Sequence, residues 1–260
     1  AKRALKAIPR DKLLEAFLSF ASERLIRSFS KRLSYLHDCD PAIEIVHEWL
    51  SPVGWLGKEN CNFNQLGLNV FNNIASVSPE EALLAIERAV NSDKENRFFT
   101  NVYYHNFVNI LFHLAYDPEL FNRSVEILIR FALLKREYEA NNHERDSLKS
   151  LFWITLSGTH ASVEARAKVI KDLLLSEDTN SQQLGLDLLS GALEAWHFYT
   201  SRDFRFGARP RDFGFHPKTR TEVDIWFNTY ISICTNLALS NEHIASKARK
   251  LLADKMRGLW

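Results

Sequence analysis

An irregular segment between His197 and Arg220 holds the side chains of this chain that are best suited to bind a ligand. Its 24 residues include six Lys or Arg and two Asp, a net charge of +4, whereas the rest of the chain has 27 basic and 30 acidic residues. Arginine offers a planar fork for phosphate or carboxylate groups, and aromatic rings offer stacking surfaces for bases or apolar side chains. The sequence therefore predicts a basic, aromatic insertion over 197–220 as the candidate recognition site.

Two interpretations of this insertion stay open. In the first, the cations face outward and recognise a polar partner, and the candidates are Arg202, Arg205, Arg209, Arg211 and Lys218. In the second, the arginines pair with Asp203, Asp212 and helix ends, while Gly207 and Gly214 provide turns. The aromatic rings also face outward in the first interpretation and pack inward in the second, and a combination with rings inward and guanidinium groups outward is open as well. The rings predicted to anchor the loop are Trp196, Phe204, Phe206, Phe213 and Phe215. Long loops persist in compact domains mainly when they pack on themselves or serve a function.

Other combinations of residues that could carry chemistry are weaker. His37-Asp38-Cys39-Asp40 is rich in metal ligands, but adjacent residues diverge on a helix and Cys61 has no companion at zinc-ligand spacing. The sequence Gly54 to Glu59 lacks the interval and the Ser/Thr of a phosphate-binding P-loop. Gly158-Thr159-His160 lacks the strand–turn–helix context of a nucleophile elbow. We therefore predict no metal, no cofactor and no catalytic residue in this chain.

The composition restricts the partners of the chain. Lys and Arg (33) nearly balance Asp and Glu (32), so no overall field favours nucleic acid or an anionic membrane. No apolar run approaches the 18 residues of a membrane span. The three cysteines, Cys39, Cys61 and Cys234, are odd in number and far apart, which is typical of free thiols in a reducing compartment. We expect a cytoplasmic protein that has no membrane partner.

The elements that must position these residues are helices. Apolar residues recur at spacings of three and four, as in the series Val223, Trp226, Phe227, Tyr230. Asp40-Pro41, Ser78-Pro79 and Asp117-Pro118 each place a capping side chain before a proline at the first helical position. Ser78 with Glu81, and Thr219 with Glu222, have the spacing of capping boxes. The chain is predicted to be all-α.

The helix starts recur at a nearly constant interval. The three proline-marked starts are 38 and 39 residues apart, and a fourth, near Thr159-His160, follows after about 42. We predict the antiparallel helix pairs 62–76 with 78–91, 98–114 with 117–136, 145–157 with 160–176, and 180–196 with 220–237, followed by a helix over about 241–256. Two-helix units of this length are typical of HEAT or armadillo-like α-solenoids. The alternative is an irregular helical bundle.

The chain begins within Ala1-Lys2-Arg3 without an initiating methionine. From the recurring helix pairs we expect residues 1–260 to form a single helical-repeat domain. The 197–220 insertion would interrupt its last predicted helix pair.

The insertion resembles part of a known family. Ala195-Trp196-His197, Phe206-Gly207-Ala208-Arg209-Pro210-Arg211-Asp212-Phe213-Gly214 and Pro217-Lys218-Thr219 resemble a motif in the helical C-terminal arms of large bacterial STAND/NACHT-like NTPases, which are associated with antiphage defence. The resemblance is specific over about 194–227 and generic elsewhere. It implies a sensor arm that detects a foreign protein and releases autoinhibition of attached effector and nucleotide-binding domains. By this resemblance, the domain over residues 1–260 would be a fragment of a larger protein. It implies no nucleotide-binding or catalytic residue in this segment.

Three classes of function follow from these observations. The favoured one is a non-catalytic protein-interaction or sensor scaffold, the recognition arm of a multidomain NTPase. The alternative is a nucleic-acid-binding helical-repeat module that uses the 197–220 loop, since clustered Lys and Arg occur there. An independent enzyme is the third class, and no group of residues in the sequence favours it.

Overall fold

A computed structural model describes residues 23–59, 63–93, 97–100, 104–134, 143–196, 198–200, 202–240 and 244–259. These residues form α-helices joined by loops, with no β-strand among them, which confirms the all-α prediction. No helix within these ranges is both long enough and apolar enough to cross a membrane. Cys61 and His197, which the sequence analysis names, lie outside the described residues.

The helices are labelled in chain order. They are α1 (Glu23–Leu33), α2 (Asp40–Leu50), α3 (Gln65–Ile74), α4 (Pro79–Ser92), α5 (Arg97–Thr100), α6 (Tyr104–Leu114), α7 (Pro118–Leu133), α8 (His143–Ser150), α9 (Val163–Leu174), α10 (Thr179–Ala192), α11 (Arg220–Leu239) and α12 (Ala245–Leu259).

The chain divides into two compact units. Unit 1 comprises the described residues of Ala1–Ile110 together with Arg205–Arg211, and unit 2 comprises those of Leu111–Phe204 and Asp212–Trp260. The prediction of a single helical-repeat domain stays a prediction.

In unit 1, the buried faces of amphipathic helices meet around an aromatic cluster. Helix α1 packs on α3, and α2 packs on α4. Asn73 of α3 donates a hydrogen bond from Nδ2 to the hydroxyl of Ser30 in α1, at 2.9 Å. Four phenylalanine rings pack against one another, namely Phe63, Phe71, Phe98 and Phe107. Buried rings of this kind contribute both apolar area and edge-to-face contacts to stability.

Unit 2 is organised around α10. This helix forms a hairpin with α9 and also contacts α7, α8, α11 and α12, while α11 packs on α12. Trp226 of α11 is fully buried and donates from Nε1 to the carbonyl of Ala192 at the end of α10, at 2.8 Å. The most extensive packing in this unit therefore joins 163–174 with 179–192 and 220–239 with 245–259, one helix later than the pairs that the sequence predicts.

Arg166 of α9 is fully buried. Its guanidinium donates hydrogen bonds to the carbonyls of Trp153, Thr159 and Ala161, at 2.9, 3.2 and 3.2 Å. It also lies 4.9 Å from the ring centre of Trp226, and no carboxylate among the described residues pairs with it. Burial lowers the pKa of Arg166 to about 10, so it stays charged at neutral pH. Carbonyl dipoles and an aromatic face therefore compensate for its lost hydration.

Four details of the predicted helix starts are corrected. Helix α2 begins at Asp40 with Cys39 at the N-cap, so Asp40 is not the cap. Ser78 occupies the N-cap of α4 without a capping hydrogen bond, because its hydroxyl lies 2.9 Å from Nε2 of His47 instead. Asp117 likewise makes no capping bond. The start expected at Thr159-His160 lies at Val163, where Ser162 caps the backbone N–H of Ala165. The capping box of Thr219 and Glu222 is confirmed.

The largest difference between a predicted and an observed helix length lies before α9. The predicted 145–157 helix ends at Ser150, and an irregular stretch over 151–162 follows. Leu156 and Gly158 in this stretch have positive φ angles of 55° and 69°, which an α-helix cannot accommodate. Because this stretch supplies the three carbonyls that Arg166 binds, a tertiary contact replaces the intrahelical hydrogen bonds there.

Arg166 provides a test of this core. Arg166→Met keeps most of the side-chain volume but removes the guanidinium from three carbonyls, of which only that of Thr159 keeps another donor among the described residues, notably the backbone N–H of Phe215. We therefore expect the free energy of unfolding to fall by about 3 kcal/mol. Urea denaturation followed by circular dichroism measures it. Lys168→Met, on the exposed side of the same helix, is the matched control and is expected to change stability by about 0.5 kcal/mol or less. Equal stability of the two variants would contradict the structural role of Arg166.

Candidate functional site

The candidate insertion belongs to both units. Residues Arg205–Arg211 are part of unit 1, and the flanking residues up to Phe204 and from Asp212 onward are part of unit 2. The five predicted polar-recognition residues are therefore divided, with Arg205, Arg209 and Arg211 in unit 1 and Arg202 and Lys218 in unit 2. Each part is described within its own unit.

In unit 1 the insertion forms a tight turn against α1 and the end of α3. The backbone N–H of Arg209 donates to the carbonyl of Phe206 at 3.2 Å, and that of Ala208 donates to the carbonyl of Ser34 at 3.2 Å. Gly207 has a φ of 60°, and a Cβ there would lie 2.3 Å from the hydroxyl oxygen of Ser76. Only glycine meets both the backbone angle and the close approach.

The side chains of this turn are held within unit 1. Arg209 donates through Nε to the carbonyl of Ser76 and through Nη2 to that of Val77, the latter at 3.0 Å. Phe206 is buried, and the guanidinium of Arg211 lies 4.5 Å from its ring centre. Arg205 is exposed. Phe206 therefore anchors the turn, and the guanidinium groups of Arg209 and Arg211 contact other residues of unit 1.

In unit 2 the insertion is hydrogen-bonded to the irregular stretch that precedes α9. The backbone N–H of Gly158 donates to the carbonyl of Phe213 at 2.9 Å, and that of Phe215 donates to the carbonyl of Thr159 at 2.7 Å. Between these bonds Gly214 has a φ of 85°, and a Cβ there would lie 2.4 Å from the nitrogen of Thr159. The two backbones therefore touch directly.

Aromatic rings complete this attachment in unit 2. Phe215 stacks on Trp226, with ring centres 5.6 Å apart and planes 13° apart. Phe204 lies 5.4 Å from Phe213 and 6.4 Å from Phe112, measured between ring centres. The guanidinium of Arg202 lies 3.5 Å from the ring centre of Phe112. Burial lowers the pKa of Arg202 to about 10. Arg202 thus makes a cation–π contact inside the unit.

Asp212 joins a polar cluster that the sequence analysis did not identify. Its Oδ1 lies 2.8 Å from Nε2 of His160 and 3.1 Å from the hydroxyl of Tyr116, and it accepts the backbone N–H of Gly214 at 2.8 Å. Partial burial raises the pKa of Asp212, but the hydrogen bonds from Gly214, His160 and Tyr116 outweigh this and leave it lowered. The sequence pattern pairs Asp212 with arginines and gives His160 only as part of a helix start and of an incomplete nucleophile elbow, so nothing in it joins the two residues.

The chemistry available to this cluster is limited. Among the described residues, no Ser, Thr or Cys side chain is hydrogen-bonded to His160, so the cluster is not a Ser–His–Asp arrangement. In the same part of the chain, no group of three or more His, Cys, Asp or Glu side chains could hold a metal ion. The cluster can orient Asp212 and fasten the insertion.

The two ends of the insertion face solvent. Lys218 is exposed, and its backbone N–H donates to the carboxylate of Glu222 in the capping box. Trp196 is 53% exposed and lies against the backbone of Gly258, where a Cβ would approach its indole nitrogen to 2.4 Å. Trp196 therefore packs on α12 with one face and presents the other to solvent.

The two glycines with positive φ angles yield a prediction. Gly207→Ala and Gly214→Ala each introduce a strained backbone and a steric clash, so each is expected to lower the free energy of unfolding by about 2 kcal/mol. Gly67→Ala in α3 is the control, because its Cβ would lie 3.4 Å from its nearest neighbours and alanine favours a helix by up to about 1 kcal/mol. Denaturant titrations of the three variants measure the difference. If Gly67→Ala lowers the free energy of unfolding as much as the other two substitutions, the turn geometry described above is wrong.

Asp212 yields a prediction of pH dependence. Because its folded pKa lies below the ordinary value of 3.8, its stabilising contribution is present above that pH and is lost as the pH falls through the folded pKa. At pH 7, Asp212→Asn is expected to reduce stability by about 1 kcal/mol, and this difference shrinks towards pH 3. Thermal melts from pH 3 to 7 measure it. Asp254→Asn on α12 is the control. The prediction is contradicted if the stability difference from the wild type stays constant with pH for both variants.

No family model, curated protein or solved structure matches this chain. Evidence for its function therefore comes from its own residues and their geometry.

Proposed function

We propose that this chain is a non-catalytic protein-recognition scaffold built from HEAT or armadillo-like helix pairs. Near-constant spacing of the proline-marked helix starts supports the repeat. The packing of consecutive helices, α9 on α10 and α11 on α12, is also typical of such arrays. A helix pair of this kind leaves an apolar face that its neighbours cover, and stacked pairs offer a large surface for a partner.

The exposed aromatic side chains of unit 2 carry this proposal. Trp196, Tyr199 and Phe213 are 53, 79 and 60% exposed, and all three belong to the candidate insertion or its first flanking residue. Large rings left in contact with water are costly unless a partner covers them, and aromatic residues are enriched among the side chains that dominate protein–protein affinity. We name Trp196, Tyr199 and Phe213 the aromatic set.

Two of the three residues of this set, Trp196 and Phe213, are held in place by contacts within unit 2. Phe213 is held through its carbonyl by Gly158, and the next residue, Gly214, donates to Asp212. Trp196 rests on Gly258. Pre-organised side chains lose less conformational entropy on binding, so this arrangement favours recognition over a purely structural role.

We further propose that the chain is the sensor arm of a multidomain, cytoplasmic NTPase. Its resemblance to the helical arms of STAND/NACHT-like proteins over about 194–227 supports this, and so do the free, buried thiols of Cys39 and Cys234. Binding of a foreign protein would then be transmitted to a nucleotide-binding domain encoded upstream. The full open reading frame tests this part, since a P-loop before Ala1 is expected.

A nucleic-acid partner that binds the insertion itself has less support. Arg202 lies on the ring of Phe112, Arg211 lies on that of Phe206, and Arg209 binds two carbonyls. These three guanidiniums would have to leave their places in order to reach phosphates. Protein recognition through the aromatic set requires no such rearrangement.

The aromatic set can be tested with a random peptide library. Peptides selected on the wild-type chain are re-measured on the variant Trp196→Ser/Tyr199→Ser/Phe213→Ser. Because these rings would form the anchors of the interface, the dissociation constant is expected to rise about tenfold or more. Isothermal titration calorimetry or fluorescence anisotropy provides the measurement.

The matched control is Val53→Ser/Leu175→Ser/Leu239→Ser, which removes three exposed apolar side chains elsewhere on the chain. Its affinity for the selected peptides is expected to stay within about twofold of the wild type. Two outcomes would argue against this site. In the first, the peptides bind the control variant as weakly as the aromatic variant. In the second, they bind both variants as tightly as the wild type.

A further inference from the structure

Helix α1 carries a row of cations on the surface of unit 1. Arg24, Arg27 and Lys31 follow one another at spacings of three and four residues, so they share one face of the helix. Arg24 and Lys31 are exposed, and neither pairs with a carboxylate of the described residues. Tyr35, one turn beyond Lys31, is 57% exposed. We name Arg24, Lys31 and Tyr35 the α1 row.

The opposite face of α1 is already occupied. Ile26, Ser30 and Leu33 are buried, and Ser30 accepts a hydrogen bond from Asn73 of α3. An amphipathic helix that lies on a membrane inserts its apolar face into the lipid. Because α3 covers that face here, α1 presents chiefly charge and the Tyr35 ring, together with Leu25, to a partner.

The insertion contacts the chain next to the end of this row. The turn at Phe206–Arg209 is hydrogen-bonded to the carbonyl of Ser34, which adjoins Tyr35. Arg205, next to that turn, is exposed. The acidic residues nearest in sequence are Glu23, which pairs with Arg27 at 3.4 Å, and Asp38 and Asp40 beyond Tyr35. No carboxylate interrupts the row between Arg24 and Tyr35.

We infer that the α1 row binds the phosphates of single-stranded nucleic acid, with Tyr35 stacking on a base. The helical rise of about 1.5 Å per residue gives the row a length of about 16 Å, enough for a few nucleotides. Unpaired strands expose the faces of their bases to an aromatic ring, whereas a duplex does not. A polyacidic peptide would satisfy the cations but would leave the ring of Tyr35 without a stacking partner. This surface is separate from the aromatic set and does not depend on the proposed function.

The test uses the full chain and a fluorescein-labelled 20-nucleotide thymidine oligomer, with anisotropy measured between 50 and 200 mM salt. Arg24→Gln/Lys31→Gln is expected to weaken binding about tenfold at 50 mM salt. It should also reduce the salt slope by about 1.4, since each phosphate contact with a single strand contributes about 0.7. Tyr35→Leu is expected to weaken binding about fivefold or more and to leave the salt slope unchanged. Neither variant removes a hydrogen bond that holds α1 on α3.

The control variant, Lys168→Gln/Lys250→Gln, removes the same amount of charge from unit 2 and is expected to bind within about twofold of the wild type. Weaker binding to a duplex of equal length than to the single strand would support the inference. It is overturned if the wild type does not bind the oligomer at 50 mM salt, or if the control weakens binding as much as Arg24→Gln/Lys31→Gln. It is equally overturned if polyglutamate or vesicles with anionic lipid bind the α1 row more tightly than the oligomer does.

Discussion

A buried guanidinium with no carboxylate partner among the residues that the structure describes organises the core of unit 2. Removing a cation from water is costly, and the cost is offset only where every donor meets an acceptor. Arg166 meets this requirement with carbonyls from the irregular stretch before its own helix and with the ring of Trp226 in α11. That stretch therefore cannot continue as a helix, and its backbone is left in the shape that receives the candidate insertion.

The insertion combines attachment with exposure. Phe206 and Phe215 pack inward, and Gly207 and Gly214 let the backbone approach its neighbours within each unit. Three of its arginines, Arg202, Arg209 and Arg211, stack on rings or bind carbonyls and so help to hold the segment. Other rings remain at the surface, where we propose that they recognise a partner.

Local chemistry explains which features were predictable from sequence. Helix type and the Thr219–Glu222 capping box follow from side chains a few residues apart. Ser78 bonds to His47 and Arg166 to three carbonyls because particular elements meet in the folded chain. The spacing of apolar residues along the sequence does not indicate which elements meet. The same holds for the site: its rings and glycines were visible as a pattern, whereas the His160–Tyr116–Asp212 cluster joins residues up to 96 positions apart.

Unit 1 is discontinuous along the chain, and this affects how it is made. The carbonyls of Ser34, Ser76 and Val77 receive their hydrogen bonds from Ala208 and Arg209, up to 174 residues later. During translation, at about 5–20 residues per second, the helices before Ile110 wait roughly 5–20 s for these donors to leave the ribosome. Until then these carbonyls lack their donors, and nascent unit 1 depends on its own helices to stay folded.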